Sequence, residues 1–556
     1  MFFKRIHIRI KIVLLVIIFF FLLIIGKVFW IQVIDYNKLN ALASSLWSRN
    51  LPIEADRGKI YDTNGVVLAD NKTTTSLVLI PNQIKDKEET TKKLCEILNV
   101  DYDTMYAHVS KKTSIERVHP EGRRLSYEIA DKIDALKLDG VYLVKESQRF
   151  YPYDTMLSHT LGFVGIDNQG LSGLELMYDS YLTGSYGAIK YLSDAKGNKL
   201  ELTEMYEAPQ DGMNITLTVN YELQAVLERE LENAVSKYNP DQALGIVMNP
   251  KTGEILALSS RPNFSPSQYQ NYTVEEINRN LPIWSTYEPG STFKILTLAA
   301  ALDSGSTHLE DSFYCNGGYI VNGERIKCWK HAGHGSQNLT RATENSCNCC
   351  FMKLALTMGT EKFYDYLYAF GLGQSTGSGL VGESEGIVTH QKYVTQNDLA
   401  RIGFGQSIAV TPIQLASAVC AAINGGELHT PYIVDEIISA SGETVFKADT
   451  SPVRRVISAE SSAYVRQILQ SVVDNGTGKN AKLANYTVGG KTGTAQKYDE
   501  YGRVSSGNYI CSFIGFAPAD EPRYLCLILV DEPRVSSIFG STVAAPFVRR
   551  VLENVL

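Results

Sequence analysis

A serine and a lysine, three residues apart, lie at the start of an apolar stretch. Ser291 and Lys294 belong to the segment EPGSTFK, which leads into the apolar run 295–302. The pattern predicts a helix on which the two side chains are one turn apart. A serine hydroxyl needs a neighbouring base to act as a nucleophile, and a buried lysine with a lowered pKa can be that base. Because this motif also occurs by chance on surface helices, it does not establish an enzyme alone.

A second short motif consists of Ser346 and Asn348, followed by the apolar stretch 351–356. The triplet places both side chains on one side of a turn, where they can face a common cleft. Ser346 can then pass a proton between Lys294 and a leaving amine, and Asn348 can hold a substrate amide. The alternative is that both residues are ordinary helix caps.

A third motif, Lys491, Thr492, Gly493 and Thr494, follows two glycines and predicts the edge of a strand. Lys491 can bind a carboxylate and shift the pKa of Lys294 through its charge. Gly493 allows a substrate to approach the strand closely. The backbone N–H of Thr494 can complete an oxyanion hole with that of the nucleophile.

In this order, the three motifs resemble the set shared by penicillin-binding proteins and class A β-lactamases. From the N-terminal region to its end, the chain resembles the class B penicillin-binding proteins. Further matching positions are Arg57, Gly58, Arg149, Tyr151, Pro152, His159, Leu161, Gly162, Gly173, Leu174, Glu175, the segment 403–406, Thr411 and Pro412. The resemblance implies a serine D,D-transpeptidase that cross-links peptidoglycan stem peptides, releases the terminal D-Ala and is covalently inhibited by β-lactams.

The resemblance also implies roles for individual residues. Ser291 would be the nucleophile and Lys294 the general base, with Ser346, Asn348 and Lys491 completing the catalytic set. Thr492, Gly493 and Thr494 would bind substrate. Catalysis would need no cofactor. The expected partner in the membrane is a polytopic SEDS-type glycosyltransferase, which makes the glycan strands that are cross-linked.

Cysteines near the second motif depart from the usual pattern of the family. Cys315 and Cys328 flank a predicted hairpin with its turn at 321–323, His331 follows Cys328 closely, and Cys349 and Cys350 follow the second motif. Three alternatives remain open. They are a Cys315–Cys328 disulfide in an oxidising exterior, a structural zinc site with ligands among these five residues, and free buried thiols. A zinc ion would be structural, since the serine machinery is complete without it.

An apolar run near the N-terminus predicts a membrane anchor. Residues 12–34 are long enough to cross a hydrocarbon core of about 20 helical residues. The run is preceded by the basic residues Lys4, Arg5, Arg9 and Lys11. Because basic flanks stay inside, we expect a cytoplasmic tail at 1–11 and an extracytoplasmic catalytic region. A cleaved signal peptide is disfavoured, since no small-residue cleavage site follows the run.

The 556 residues are too many for one hydrophobic core and predict two or three domains, with an α+β fold. We expect a mixed α/β pedestal domain of the dimerisation type at 35–210. A transpeptidase domain at 211–556 would have an antiparallel sheet flanked by helices, as in serine β-lactamases. The net charge of −7 argues against nucleic-acid binding. The anchor and pedestal argue against a secreted β-lactamase, and the short cytoplasmic tail argues against a membrane β-lactam sensor.

Overall fold

The structure is a computed structural model that describes residues 2–39, 48–113, 115–192, 205–498, 504–536 and 538–556. It begins with the helix Phe2–Phe29, which continues as the π-helical turn Trp30–Ile34. The stretch Ile6–Ile34 is apolar and long enough to cross a membrane. Its side chains are exposed. An apolar surface of this extent needs a membrane or a partner to cover it.

The chain divides into two compact units. The first unit comprises Met1–Ala55, Thr73–Gln148 and Ser185–Gln210. The second comprises Asp56–Lys72, Arg149–Gly184 and Asp211–Leu556. The expected domain boundary at 210/211 stays a prediction. The compact units divide the chain differently, because two segments that precede residue 210 fold with the C-terminal part.

The first unit has a small core built by three helices and a strand. The helices Lys87–Leu98 and Tyr102–Ser110 begin after Asp86 and Asp101, whose carboxylates accept backbone N–H groups of the first turn. The third helix is Tyr127–Ala135. The core consists of Leu77, Leu79, Ile84, Leu94, Met105, Val109, Val118, Leu125 and Ile133. The paired strands of this unit include Ser48–Ile53, Gly187–Leu192, Met205–Glu207, Glu116–Arg117 and parts of Val67–Leu79 and Val141–Phe150.

The second unit is organised around a five-stranded antiparallel sheet. In spatial order its strands are Ile255–Arg261, Gln242–Met248, Tyr524–Asp531, Val504–Ala517 and Gly489–Tyr498. The third sequence motif therefore lies on an edge strand, as predicted. A second sheet contains Thr444–Lys447, Val434–Ile438, Asn214–Leu217, Ile60–Tyr61 and the start of Val67–Leu79.

Side chains alternate across the five-stranded sheet and form two cores. Leu525, Leu527 and Leu529 contribute to one core, whereas Cys526 and Ile528 contribute to the other. This period of two is expected for a strand that is buried on both faces. The sheet is therefore enclosed by helices on each side.

One face of the sheet is covered by the helices Tyr221–Tyr238 and Ala545–Val555. Helix Pro412–Ile423 covers the other face and packs against Lys294–Asp303 and Ala459–Asn475. The remaining α-helices of this unit are Ser158–Leu161, Gly173–Met177, Asp179–Leu182, Val274–Asn278, Leu281–Trp284, Leu339–Glu344, Asn348–Met358, Thr360–Ala369, Gln396–Ile402 and Gly540–Val543. The predicted antiparallel sheet flanked by helices is confirmed.

The second unit contains a buried group of charged side chains from its two segments that precede residue 210. Arg57 and Arg149 bind the two carboxylate oxygens of Glu175 at 2.7 and 2.6 Å. All three side chains are nearly inaccessible to solvent. All three residues are among the positions at which the sequence resembles the family. The structure brings them together, and it gives the buried carboxylate of Glu175 the cationic partners that it needs.

Candidate active site

The nucleophile candidate lies in a turn rather than within a regular helix. Ser291 belongs to the 3₁₀ turn Gly290–Thr292, which leads directly into the helix Lys294–Asp303. The Nζ atom of Lys294 lies 3.1 Å from the Oγ atom of Ser291, so the spacing of three residues does bring the two groups together. Ser291 is partly exposed, whereas Lys294 is fully buried.

The second motif completes a hydrogen-bond network around the lysine. Nζ of Lys294 donates to the carbonyl oxygen of Ser346 at 2.8 Å and to Oδ1 of Asn348 at 2.7 Å. Oγ of Ser346 donates to Oγ of Ser291 at 2.9 Å. Ser346 has a φ of +51°, a conformation that side-chain-bearing residues adopt rarely. Asn348 begins the helix Asn348–Met358, so its side chain is set by the first helical turn.

The third motif contributes a second buried cation. Nζ of Lys491 donates to Oγ of Ser346 at 2.9 Å. Oγ1 of Thr492 contacts Oγ1 of Thr477 at 3.4 Å, and Oγ1 of Thr494 accepts the N–H of Gly540 at 3.1 Å. A Cβ at Gly493 would overlap the hydroxyl of Ser512, so a larger residue there would displace that side chain.

Burial changes the proton affinity of both lysines. It lowers the pKa of Lys294 from its usual 10.5 to about 8. Burial and the charge of Lys294 lower the pKa of Lys491 well below its usual value. Among the described residues, no carboxylate binds either ammonium group. The site therefore holds a base that is partly neutral near pH 8 and favours an anionic substrate group.

The segment 403–406 supports the turn that carries the nucleophile. The N–H of Gly290 donates to the carbonyl of Gly405 at 2.9 Å, and a Cβ at Gly405 would overlap the carbonyl oxygen of Gly290. Glu288 accepts the N–H of Ser407 at 2.8 Å. The segment 403–406 therefore packs against the turn that carries Ser291 and fixes its position. This close packing accounts for a glycine at position 405, where φ is +86°.

The cysteines meet beside the second motif, but the participating histidine differs from the predicted one. The ligand atoms of Cys315, Cys328, His334 and Cys347 all lie within 4.8 Å of one another. The structure does not bring the predicted ligand His331 into this group, since its side chain is exposed and His334 lies there instead. The chain turns at two glycines with positive φ, 333 and 335, and so returns the later histidine over Cys328.

The other predicted cysteine ligands lie at different places. Sγ of Cys349 is 3.4 Å from Sγ of Cys315, whereas Cys350 is buried and outside the four-residue group. Cys347, which the sequence interpretation did not select, is the middle residue of the second motif. The predicted hairpin is confirmed, with strands Gly318–Val321 and Glu324–Lys327. All nine cysteines are free thiols in this structure.

The thiols of this group differ in pKa. Hydrogen bonds from Cys347 and Cys349 lower the pKa of Cys328. The same interaction raises the pKa of Cys347 to about 12. Nε2 of His334 is buried and has no hydrogen-bond partner within the described residues. Sulfur and imidazole donors at this separation fit the Cys₃His set that zinc prefers.

A serine hydroxyl beside a buried lysine is the arrangement that a serine acyltransferase needs, and comparison with known proteins identifies the family. Residues 243–553 match the penicillin binding protein transpeptidase domain, and residues 52–217 match the penicillin-binding protein dimerisation domain. The first match spans more than half of the chain. The chain therefore belongs to the class B penicillin-binding proteins and is a transpeptidase, which confirms the predicted family, fold class and type of enzyme.

Individual relatives resemble the chain over nearly its whole length. Stage V sporulation protein D of Bacillus subtilis is 47% identical over 551 residues, which cover 99% of this chain and 85% of the relative. Peptidoglycan D,D-transpeptidase FtsI of Escherichia coli is 31% identical over 540 residues, covering 96% and 89%. The crystal structure of penicillin binding protein 2X from Streptococcus thermophilus matches with a TM-score of 0.75 at 26% identity, covering 90% of this chain and 79% of that one.

Proposed function

We propose that this transpeptidase cross-links peptidoglycan stem peptides through an acyl-enzyme on Ser291. The observation that carries the proposal is the contact of one hydroxyl, Oγ of Ser291, with both Nζ of Lys294 at 3.1 Å and Oγ of Ser346 at 2.9 Å. A hydroxyl with a neighbouring base and a relay is the arrangement needed for covalent acyl transfer. The FtsI relative is named a peptidoglycan D,D-transpeptidase, which supports the choice of substrate.

The reaction begins when neutral Lys294 removes the proton of Ser291 while Oγ attacks the carbonyl of the penultimate D-Ala. The backbone N–H groups of Ser291 and Thr494 would stabilise the oxyanion. Ser346 then delivers its proton to the departing amine and takes one from protonated Lys294 as the C–N bond breaks, and the terminal D-Ala leaves. Lys491 would bind the carboxylate of the substrate. The amine of a second stem peptide finally attacks the ester and gives up a proton to Lys294, and a proton returns to Oγ of Ser291 as the ester bond breaks.

The test is intact-mass spectrometry of the full-length protein with a penicillin. We expect one adduct per chain on the wild type and none on Ser291→Ala. The exposed Ser441 provides a matched control, so Ser441→Ala should label normally. A Ser291→Ala protein that still traps the drug covalently would overturn the assignment.

We further propose that the drug is released slowly. A hydrolysing enzyme needs a base for the deacylating water. In the described part of the chain, no carboxylate is bonded to Ser291, and the nearby Glu344 is engaged by Arg341 and Ser471 at 2.6 Å each. The mass adduct should therefore persist for many minutes. Rapid turnover of the drug would favour a β-lactamase instead.

A structural zinc ion is proposed for Cys315, Cys328, His334 and Cys347. The proximity of four suitable donor atoms, with Nδ1 of His334 3.7 Å from Sγ of Cys328, supports this proposal. The ion would connect the hairpin to the residue between Ser346 and Asn348 without joining the reaction. A disulfide or free thiols are the alternatives.

Elemental analysis of protein purified without chelator tests the zinc proposal. We expect about one zinc per chain, lost in Cys328→Ser but retained in Cys420→Ser, which alters a buried cysteine outside the cluster. Chelation should lower the melting temperature of the wild type. Metal-free protein with a mass two hydrogens below the reduced value would establish a disulfide instead.

The remaining proposals concern location and partner. The N-terminal helix would anchor the protein with its N-terminus in the cytoplasm, and this helix and the predicted pedestal domain, 35–210, would contact a SEDS-type glycosyltransferase. The exposed apolar surface of Ile6–Ile34 supports an anchor. Replacing the helix by an unrelated membrane span should retain membrane attachment of this protein. The same exchange should abolish co-purification of the glycosyltransferase. Normal co-purification after the exchange would contradict this role.

The likeness to Stage V sporulation protein D supports a role in sporulation. A strain that carries Ser291→Ala should grow normally and form defective spores. A growth or division defect with normal spores would assign the enzyme to another process.

A further inference from the structure

The indole ring of Trp329 is hydrogen-bonded to the backbone of the second motif. Its Nε1 atom donates to the carbonyl oxygen of Asn345 at 3.0 Å and to that of Ser346 at 3.1 Å. The indole N–H is a donor only and carries one proton, so two consecutive carbonyls share it. The side chain is 50% exposed, whereas the preceding Cys328 is buried. The polar edge of the ring is therefore turned towards the motif while much of the ring remains open to solvent.

The two carbonyls lie at either end of one backbone angle. The φ angle of Ser346 is defined by the carbonyl carbons of Asn345 and Ser346, so a donor bound to both oxygens restrains it. That angle is +51°, in the left-handed region that residues with a Cβ rarely adopt. A conformation of this kind persists only where surrounding contacts impose it. The indole of Trp329 supplies such a contact.

The conformation of Ser346 determines the geometry of the catalytic groups. Its Oγ atom lies 2.9 Å from Oγ of Ser291 and 2.9 Å from Nζ of Lys491. Its carbonyl accepts an N–H of Lys294 at 2.8 Å, and Asn348 accepts another at 2.7 Å. A neutral lysine has only two N–H bonds. With both used in this way, its lone pair remains available for the hydroxyl of Ser291.

We propose that Trp329 is a positioning residue for the transpeptidase reaction. Its indole N–H holds Ser346 in the left-handed conformation, from which the Ser346 carbonyl directs Lys294 towards the nucleophile. The inference rests on the proposed role of Ser291. Because Trp329 acts through Ser346, its loss slows the acylation step and leaves the initial complex with a β-lactam unchanged.

The test is stopped-flow acylation of the full-length protein by a fluorescent penicillin, which separates the affinity of the initial complex from the acylation rate constant. Trp329→Phe removes the N–H and keeps an aromatic ring. We expect the rate constant per active site to fall about five- to tenfold, the effect of one hydrogen bond, with the affinity within about twofold. Trp284→Phe is the matched control, since Trp284 is 43% exposed and, among the residues that the structure describes, makes no hydrogen bond to the three motifs.

A second substitution distinguishes loss of the N–H from a change in the folding of the protein. Incorporation of benzothienylalanine at Trp329 replaces the N–H by sulfur at nearly the same shape, and it should reproduce the slow acylation at an unchanged melting temperature. An unchanged rate constant in this variant would overturn the proposal. So would a weakened initial complex with normal acylation, because that result indicates direct contact with the ligand. If the wild type itself is not acylated at Ser291, the proposed function fails first.

Discussion

Lys491 donates a hydrogen bond of 2.9 Å to Oγ of Ser346. Lys294 reaches the same oxygen at 3.2 Å, so two buried lysines share one hydroxyl. Neither lysine has a carboxylate partner in the described part of the chain, and each is easier to deprotonate than a lysine in water. This arrangement suits a base, Lys294, beside a cation, Lys491, that binds a carboxylate. Substituting each lysine separately distinguishes the two roles.

We predict that Lys294→Ala and Lys491→Ala impair acylation in different ways. Lys294→Ala should lower the acylation rate constant by about 100-fold or more, because it removes the proton acceptor. Lys491→Ala should also weaken the initial complex, because it removes the charge that binds the drug carboxylate. The measurement is stopped-flow acylation, with Lys362→Ala as an exposed control. Wild-type kinetics in Lys294→Ala would exclude it as the base.

The acylation rate should depend on pH in a direction set by Lys294. Burial lowers the pKa of Lys294 to about 8, and only the neutral amine accepts the proton of Ser291. At saturating drug, the rate constant should rise about tenfold per pH unit below this value and level off above pH 8. Rates measured from pH 6 to 9 test this. A rate constant that is flat or falls with pH over that range would contradict the neutral-base mechanism.

Glu175→Ala should destabilise the protein without altering the acylation of the folded fraction. The substitution leaves Arg57 and Arg149 buried with one carboxylate removed, which costs about 3–5 kcal/mol for a buried pair. Chemical denaturation measures the loss. Glu521→Ala is the control, since its pair with Lys251 is exposed to solvent and such pairs contribute little to stability. Equal stability of both variants would show that the buried group is unimportant.

The geometry within each of the three motifs was predictable from sequence because each motif is local. Ser291 and Lys294 are fixed relative to each other by one helical turn, and Ser346 and Asn348 by the start of a helix. Their order along the chain then matched a known family. What the motifs do not encode is the tertiary contact that joins them, such as the bond from Lys491 to Ser346, which links residues 145 positions apart.

The parts that sequence reasoning missed depend on loop geometry. His331 has a ligand-like spacing from Cys328, but turns at glycines 333 and 335 present His334 instead. Nothing in the sequence indicated a role for Trp329. Its contacts with two backbone carbonyls of the second motif are visible only in the structure. The division into compact units was also unpredictable, since Ile60–Tyr61 pairs in parallel with the distant strand Asn214–Leu217.

Gly405→Ala should inactivate the enzyme through the nucleophile turn. Gly405 has a φ of +86°, and an added Cβ would overlap the carbonyl oxygen of Gly290, so the turn that carries Ser291 must move. A displacement of this size should lower the acylation rate constant about 100-fold. Gly442→Ala is the matched control, because Gly442 has a φ of +87° and nothing within 4 Å of an added Cβ. Both variants carry similar backbone strain, about 1–2 kcal/mol. Gly405→Ala adds the overlap with Gly290, so its melting temperature should fall further than that of Gly442→Ala. Acylation should fail only in Gly405→Ala. Normal acylation in that variant would show that the segment 403–406 does not position the nucleophile.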